Sequence, residues 1–223
     1  MRQRTPLLYK IKTTFLWMAL FGITPVAAND NISVGLFSKG ALDAWETETF
    51  SGKTHYSLVN QEGKIVLQAI SDKSASGLVR KIPINLAKTP YLNWSWRIEN
   101  TLDTTNEQEK NGDDYPARIY VVISGGWAFW RTRALNYVWS SSTPQFKSWP
   151  NAYAGQNVIM LAIRSGSEET GRWQHEKRNL LVDLKQAFGE VITKIDAVAL
   201  MTDTDNTQGD AIAYYGDIYF SAQ

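Results

Sequence analysis

The stretch "NGDDYPARIYVVISGG", residues 111–126, places Asp113, Asp114 and Arg118 at the mouth of an apolar run. Carboxylates beside a guanidinium can form charge-assisted pairs that pin a loop, or they can grip the hydroxyls and acidic groups of a ligand. Arg97 closes the run "YLNWSWRIE". If 91–98 and 117–124 pair as a hairpin, Arg97 and Arg118 lie at the same end, beneath the acidic connection 99–116. Arg131 and Arg133 in "FWRTRALNYVW" alternate as if on one strand face, which suits a fork-like hold on a carboxylate or phosphate. With Trp130 as a stacking ring and Tyr137 on the same segment, the candidate ligand-binding set is Arg97, Asp113, Asp114, Arg118, Trp130, Arg131, Arg133 and Tyr137. The structural alternative pairs Arg131 and Arg133 with Asp113 and Asp114.

A second acidic cluster lies in "MTDTDNTQGDAIAYYGD". Asp203, Asp205 and Asp210, with Asn206, offer the hard oxygen atoms that calcium prefers. An EF-hand loop it is not: counted from Asp203, Gln208 stands at the glycine position and Tyr214 at the bidentate glutamate position. The alternative is a polar turn whose Asp and Asn side chains bond their own backbone. No other cofactor is expected. Loop aromatics form a third signal: Trp127 and Trp130 after Gly125–Gly126, and Trp149 and Tyr153 in "SWPNAYAG" either stack on sugar rings or plug the open ends of a sandwich.

Signatures of known catalytic machinery are missing. The chain has no cysteine, no G-x-S-x-G elbow and no H-E-x-x-H, while His55 and His175 stand alone in their segments. "RTRAL" and "QHE" faintly resemble elements of sandwich alginate lyases, but Arg133 stands where a carboxylate is expected and the Tyr-Lys element is missing.

The elements that must position these residues are strands. Leu92, Trp94, Trp96 and Ile98 alternate with polar residues, as do Ile119, Val121 and Ile123. "VIMLAIRS" sets Ile159, Leu161 and Ile163 on one face, and "AYYGDIYF" sets Tyr214, Ile218 and Phe220 against Tyr215, Asp217 and Tyr219. One short helix is expected in "DLKQAFGE", capped by Asp183 and ended by Gly189. Many short strands and a single helix predict an all-β, antiparallel, jelly-roll-like β-sandwich forming one domain over 29–223.

Residues 1–28 read as a secretory signal. Arg2, Arg4, Lys10 and Lys12 precede an apolar stretch at roughly 13–23, and Val26 and Ala28 occupy the small-residue positions of a cleavage site. The apolar stretch is about half the ~20 residues a membrane-spanning helix requires, so no transmembrane segment is expected after cleavage. A periplasmic or secreted location follows, and without cysteine the exported chain must be held by core burial alone. The whole chain carries 23 Lys+Arg and 22 Asp+Glu; removing four basic residues leaves 19 minus 22, or −3. A weakly acidic domain without a basic block lacks the electrostatic footprint of a nucleic-acid binder.

"GDDYPARIYVV", "FWRTRALNYVWSS", "RSG", "GRW" and "DAVALMTDTDN" followed by "YGDIYF" resemble, in that order, the bacterial exported proteins catalogued as domain of unknown function 3047. The likeness spans essentially the whole mature chain and implies a jelly-roll sandwich similar to carbohydrate-binding modules, with no activity to carry over. The resulting expectation is a non-catalytic exported protein that recognises a glycan or another cell-envelope component. A polysaccharide lyase or glycosidase, and an envelope assembly or protein-interaction factor, are the alternatives.

Overall fold

The computed structural model describes residues 31–104 and 106–223, together with Met1. The expected signal over 1–28 lies, apart from Met1, outside the described residues. The chain runs through β1 (Ile32–Gly35), β2 (Glu46–Ser51), β3 (His55–Gln61), β4 (Lys64–Asp72) and β5 (Ala75–Asn85). It continues with β6 (Tyr91–Ile98), β7 (Ala117–Ile123), β8 (Arg133–Ser140), β9 (Ser148–Asn151) and β10 (Gly155–Ser165). β11 (Gln174–Asn179), helix α1 (Leu180–Phe188), β12 (Lys194–Asp203), β13 (Asp210–Tyr215) and β14 (Ile218–Ser221) complete it.

These strands form two seven-stranded sheets that face each other as a sandwich. The second sheet has the order β2-β5-β12-β7-β8-β10-β9. Its pairings are antiparallel except β8 with β10, which run parallel because β9 lies beyond β10 and returns the chain to it. In the first sheet β6 pairs with β11 over Tyr91–Trp96. Its remaining edge is shared in tandem: β13 pairs with Trp96–Ile98 and β14 with Tyr91–Asn93. Because β13 continues to β4 and β14 to β1, the sheet splits at Gly216–Asp217.

The core explains the alternation. Trp94 and Trp96 from β6 meet Tyr137 and Trp139 from β8, with the Trp94 and Tyr137 rings stacked at 5.2 Å between centroids. At β13–β14 the expected phase is corrected. Tyr215, not Tyr214, faces inward with Ile218 and Phe220, because the break at Gly216–Asp217 inserts an extra step in the period of two. A Cβ at Gly216 would stand 2.2 Å from Ser95 Oγ, so a larger residue there would have to turn that hydroxyl aside.

Helix α1 closes one end of the sandwich through buried Leu180 and Leu184. Its cap also departs from expectation. Asn179, four residues before Asp183, accepts from Leu181 N at 3.1 Å and Val182 N at 3.4 Å, whereas Asp183 is a buried residue inside the helix. Gly189 ends the helix at φ 75°, as the sequence suggested. No helix among the described residues is long and apolar enough to cross a membrane.

Candidate functional site

The decisive feature for the site is where the connection 99–116 goes. It does not cap a β6–β7 hairpin, since β6 and β7 belong to different sheets. The connection crosses to the second sheet and lies over that sheet's outer face, where Tyr115 packs with Val138, Trp149, Met160 and Ala162 in a satellite apolar cluster. Two anchors hold it. Buried Glu107 accepts hydrogen bonds from Ser140 Oγ, Ser141 N and Thr143 N, and Tyr115 donates its hydroxyl proton to the Glu107 carbonyl at 2.9 Å.

Burial of this loop brings its carboxylates down onto the strand residue Arg118. The guanidinium lies between two rings, 4.7 Å from the centre of Tyr115 and 5.9 Å from that of Tyr120. It pairs with Asp203 on two sides: Nε donates to Oδ1 at 2.7 Å and a terminal nitrogen meets Oδ2. A terminal nitrogen also donates to the Asp113 carbonyl at 3.1 Å. Such a fork-to-carboxylate pair is strong and directional, and both partners are almost fully buried.

The remaining carboxylates are less completely engaged. Asp113 Oδ2 accepts from Asn151 Nδ2 at 2.7 Å, and Asp114 Oδ2 accepts from the Thr207 amide at 2.5 Å and its hydroxyl at 2.7 Å. The other oxygen of each, Asp113 Oδ1 and Asp114 Oδ1, is buried without a hydrogen-bond partner. Asp205 is half-buried in the turn after β12, and oxygens of Asp114, Asp203 and Asp205 lie within 4.8 Å of one another. Burial, with the Arg118 charge opposing it, pushes the Asp113 carboxyl above its ordinary value. Burial and then the neighbouring Asp114 charge do the same to Asp205.

Asp113, Arg118, Asp203 and Asp205 line one end of a cavity of about 370 Å³ on the outer face of the second sheet. Tyr120 and Met201 form its floor, and two exposed rings bound it: Phe50 from edge strand β2 and Tyr153 from the turn between β9 and β10 at the opposite edge. Tyr153 is held there by its hydroxyl, which accepts from Asn206 Nδ2 at 2.9 Å and donates to the Lys110 carbonyl at 3.2 Å. A smaller apolar hollow of about 180 Å³ shares Phe50, Tyr120 and Met201 and extends the groove over Gly77, Val79, Val122 and Ala199. Small residues keep that floor low. A Cβ at Gly77 would stand 2.9 Å from the Leu200 carbonyl, so β5 can approach β12 there only as glycine.

The expected ligand-binding set is therefore divided. Asp113, Asp114 and Arg118 converge. Arg97 sits on the first sheet, paired with Glu99 at 2.7 Å and with its guanidinium over Tyr214. Arg133 pairs with Glu190 at 2.5 Å and lies over the Phe188 ring, not against Asp113 or Asp114. Arg131 belongs to a 3-10 turn ahead of β8, so it does not share a strand face with Arg133. The register from Arg118 to Ile123, which pairs with Arg133, separates the two arginines by roughly 17 Å along the strand. Trp130 is exposed at that far end, edge-on to Trp127 at 6.2 Å.

Tyr137 points into the core and donates to Asp183 at 2.6 Å, as its alternation with Leu135 and Trp139 requires. Of the expected metal ligands, Asp203 and Asp205 come together, but Asp210 begins β13 opposite Asp72 and is replaced in the cluster by Asp114. Trp149 packs on Tyr115 and is buried. Phe50, Tyr120 and Asn151 were not singled out by sequence. Phe50 had a readable signal, a bulky ring on an otherwise polar strand; Asn151 had only the Asx turn it forms with Tyr153 N and Ala154 N.

A family model described as protein of unknown function (DUF3047) matches residues 43–219. The chain belongs to this family. Within the matched span, Asp113, Arg118, Asp203 and Asp205 line the cavity, and Asp114 is grouped with Asp203 and Asp205. No curated protein matches the chain. Among solved structures, the xyloglucanase domain of a type three effector from Sinorhizobium fredii, in complex with cellobiose, is similar at 10% identity and a TM-score of 0.47, covering 86% of this chain and 97% of that one. A family 11 carbohydrate-binding module from Clostridium thermocellum is similar at 9% identity and a TM-score of 0.46, covering 87% of this chain and 96% of that chain. A lectin from Bauhinia forficata gives 11% identity and a TM-score of 0.40, with 86% and 97% covered. Likenesses at this level carry no argument about ligand or activity.

Proposed function

We propose that this chain is an exported, non-catalytic binding protein that holds a glycan in the groove across the outer face of its second sheet. One observation carries the reading: two exposed rings, Phe50 and Tyr153, rise from opposite edges of a single cavity that is apolar on its floor and polar at one end. Sugars present apolar C–H faces and a rim of hydroxyls. A groove with ring walls and a few fixed hydrogen-bonding groups matches both. Arg118, Asp113 and Asn151 supply the fixed groups, and their orientation is set before any ligand arrives because each is already tied to the covering loop or to Asp203. The signal expected over 1–28 supports export to where glycans are met.

The test is native electrophoresis of the mature chain through gels cast with neutral and acidic polysaccharides, each stained for protein and glycan. Retardation over intact glycan that is weakened in Phe50→Ala supports the reading. A cleared zone around the band replaces it with a glycan-cleaving enzyme. Unchanged mobility across the panel removes the glycan and favours a protein partner.

A further inference from the structure

We infer that Asp114, Asp203 and Asp205 form a calcium-class cation site that fastens the 99–116 loop to the end of β12. The three carboxylates arrive from separate parts of the chain: the loop, the last residue of β12 and the turn that follows. Their oxygens lie within 4.8 Å of one another. Oxygens each ~2.4 Å from one calcium ion stand at most ~4.8 Å apart, a limit that the three meet. All are hard oxygen donors, without histidine or cysteine, which selects calcium or magnesium over softer transition metals. Magnesium demands a tight octahedron and gives up its water reluctantly; a site built from a loop, a strand end and a turn suits the more tolerant calcium.

The acidic cluster alone would not carry this, since polar turns rich in aspartate are common. A second observation does: Asp114 is fully buried, Asp113 is 4% exposed, and one carboxylate oxygen of each is buried without a hydrogen-bond partner. Asp113 lines the same cavity as Asp203 and Asp205. The charges point the same way. Among the described residues Arg118 is the only cation that lines the cavity, and it is paired with Asp203; Lys110 stands outside, over the Tyr153 ring. When ionised, Asp113, Asp114, Asp203 and Asp205 outweigh Arg118 by four to one, an excess of three negative charges in a largely buried space. Buried charge of that kind must be paired, neutralised by a proton or bound to a metal. A divalent cation removes most of the excess and supplies the partner that the free oxygens lack.

The site is tested with the mature protein stripped by chelator and calcium chloride alone as probe, in the absence of any glycan, so the result is independent of how the groove is read. Melting temperature should rise by roughly 3–6 °C once calcium exceeds its Kd tenfold. Terbium bound in its place should show emission sensitised by Tyr115 and Trp149, and excess calcium should quench it. Asp205→Asn, a half-buried position that leaves the fold intact, should weaken calcium about tenfold or more. Asp114→Asn should abolish the calcium shift while raising the melting temperature of the stripped protein, because it removes repulsion; a residue that merely braced the loop would lower it. Asp210→Asn should leave calcium binding unchanged. No calcium shift and no sensitised terbium emission in the wild type would overturn the site, as would undiminished calcium binding by Asp205→Asn.

Discussion

The cavity on the second sheet and the cleft where the first sheet splits enclose similar volumes, about 370 and 440 Å³. Their walls are made differently. The cleft is a by-product of strand pairing: β13 and β14 share one edge of β6, and the gap at Gly216–Asp217 is lined by Ser38, Ser95, Trp173 and the exposed His175. The carboxylate at the gap, Asp217, is satisfied, accepting from the Ser38 amide at 2.8 Å and hydroxyl at 2.5 Å, and Glu62 at the rim is exposed. The cavity on the second sheet instead is lined by a buried guanidinium and three carboxylates, with Asp114 grouped against two of them, and one oxygen each of Asp113 and Asp114 is buried without a partner. Size does not separate the two; unspent hydrogen-bonding and charge do. Buried polar groups left short of partners are costly to folding, so their persistence points to a ligand or to strain held for function.

This contrast predicts a descending series of effects. The largest should follow Asp203→Ala, which leaves Arg118 buried and unpaired: a loss of about 3–5 kcal/mol in chemical denaturation. The matching change in the cleft, Asp217→Asn, should cost only about 1 kcal/mol, because its partners are exposed to water. If both cost the same, the two regions do not differ as described. Tyr137→Phe should destabilise by about 1–2 kcal/mol by taking a donor from Asp183, yet leave glycan mobility unchanged, since the side chain belongs to the core. Lost binding in that variant would return Tyr137 to the ligand set.

The smallest effect is on pH. Asp113 and Asp205 titrate above the ordinary carboxylate range in the folded chain, so chelator-stripped protein holds their contribution below about pH 4, the unfolded value, and loses it as pH rises through the raised folded values. Asp113 faces Arg118, Asp114 and Tyr115. Urea midpoints between pH 4 and 7 should therefore fall in chelator, and calcium should flatten or reverse the slope. A chelator profile that rises over that range would contradict the assignment.

Much of the fold is legible because period-two patterning is local. β6, β7 and β8 each alternate cleanly, and their apolar faces meet in the core. The failures are non-local. Nothing in "YLNWSWRIE" and "ARIYVVIS" says whether they pair in one sheet or face each other across two, and the hairpin assumption placed Arg97 beside Arg118. One extra step at Gly216–Asp217 inverted the phase of Tyr214 and Tyr215. Asp114 joined Asp203 and Asp205 through a loop that lies over a sheet face, a contact across about ninety residues of chain that no spacing encodes. Arg118 and the two adjacent aspartates were legible because they are close in sequence.

Whether ligand is held on the second sheet or in the cleft of the first is decided by running Phe50→Ala and His175→Ala beside the wild type on the polysaccharide that retards it. Both side chains are exposed, so neither variant should change stability enough to confuse the result. Retardation lost in Phe50→Ala and kept in His175→Ala is the predicted outcome. Retardation kept in Phe50→Ala and lost in His175→Ala would move the site to the cleft of the first sheet.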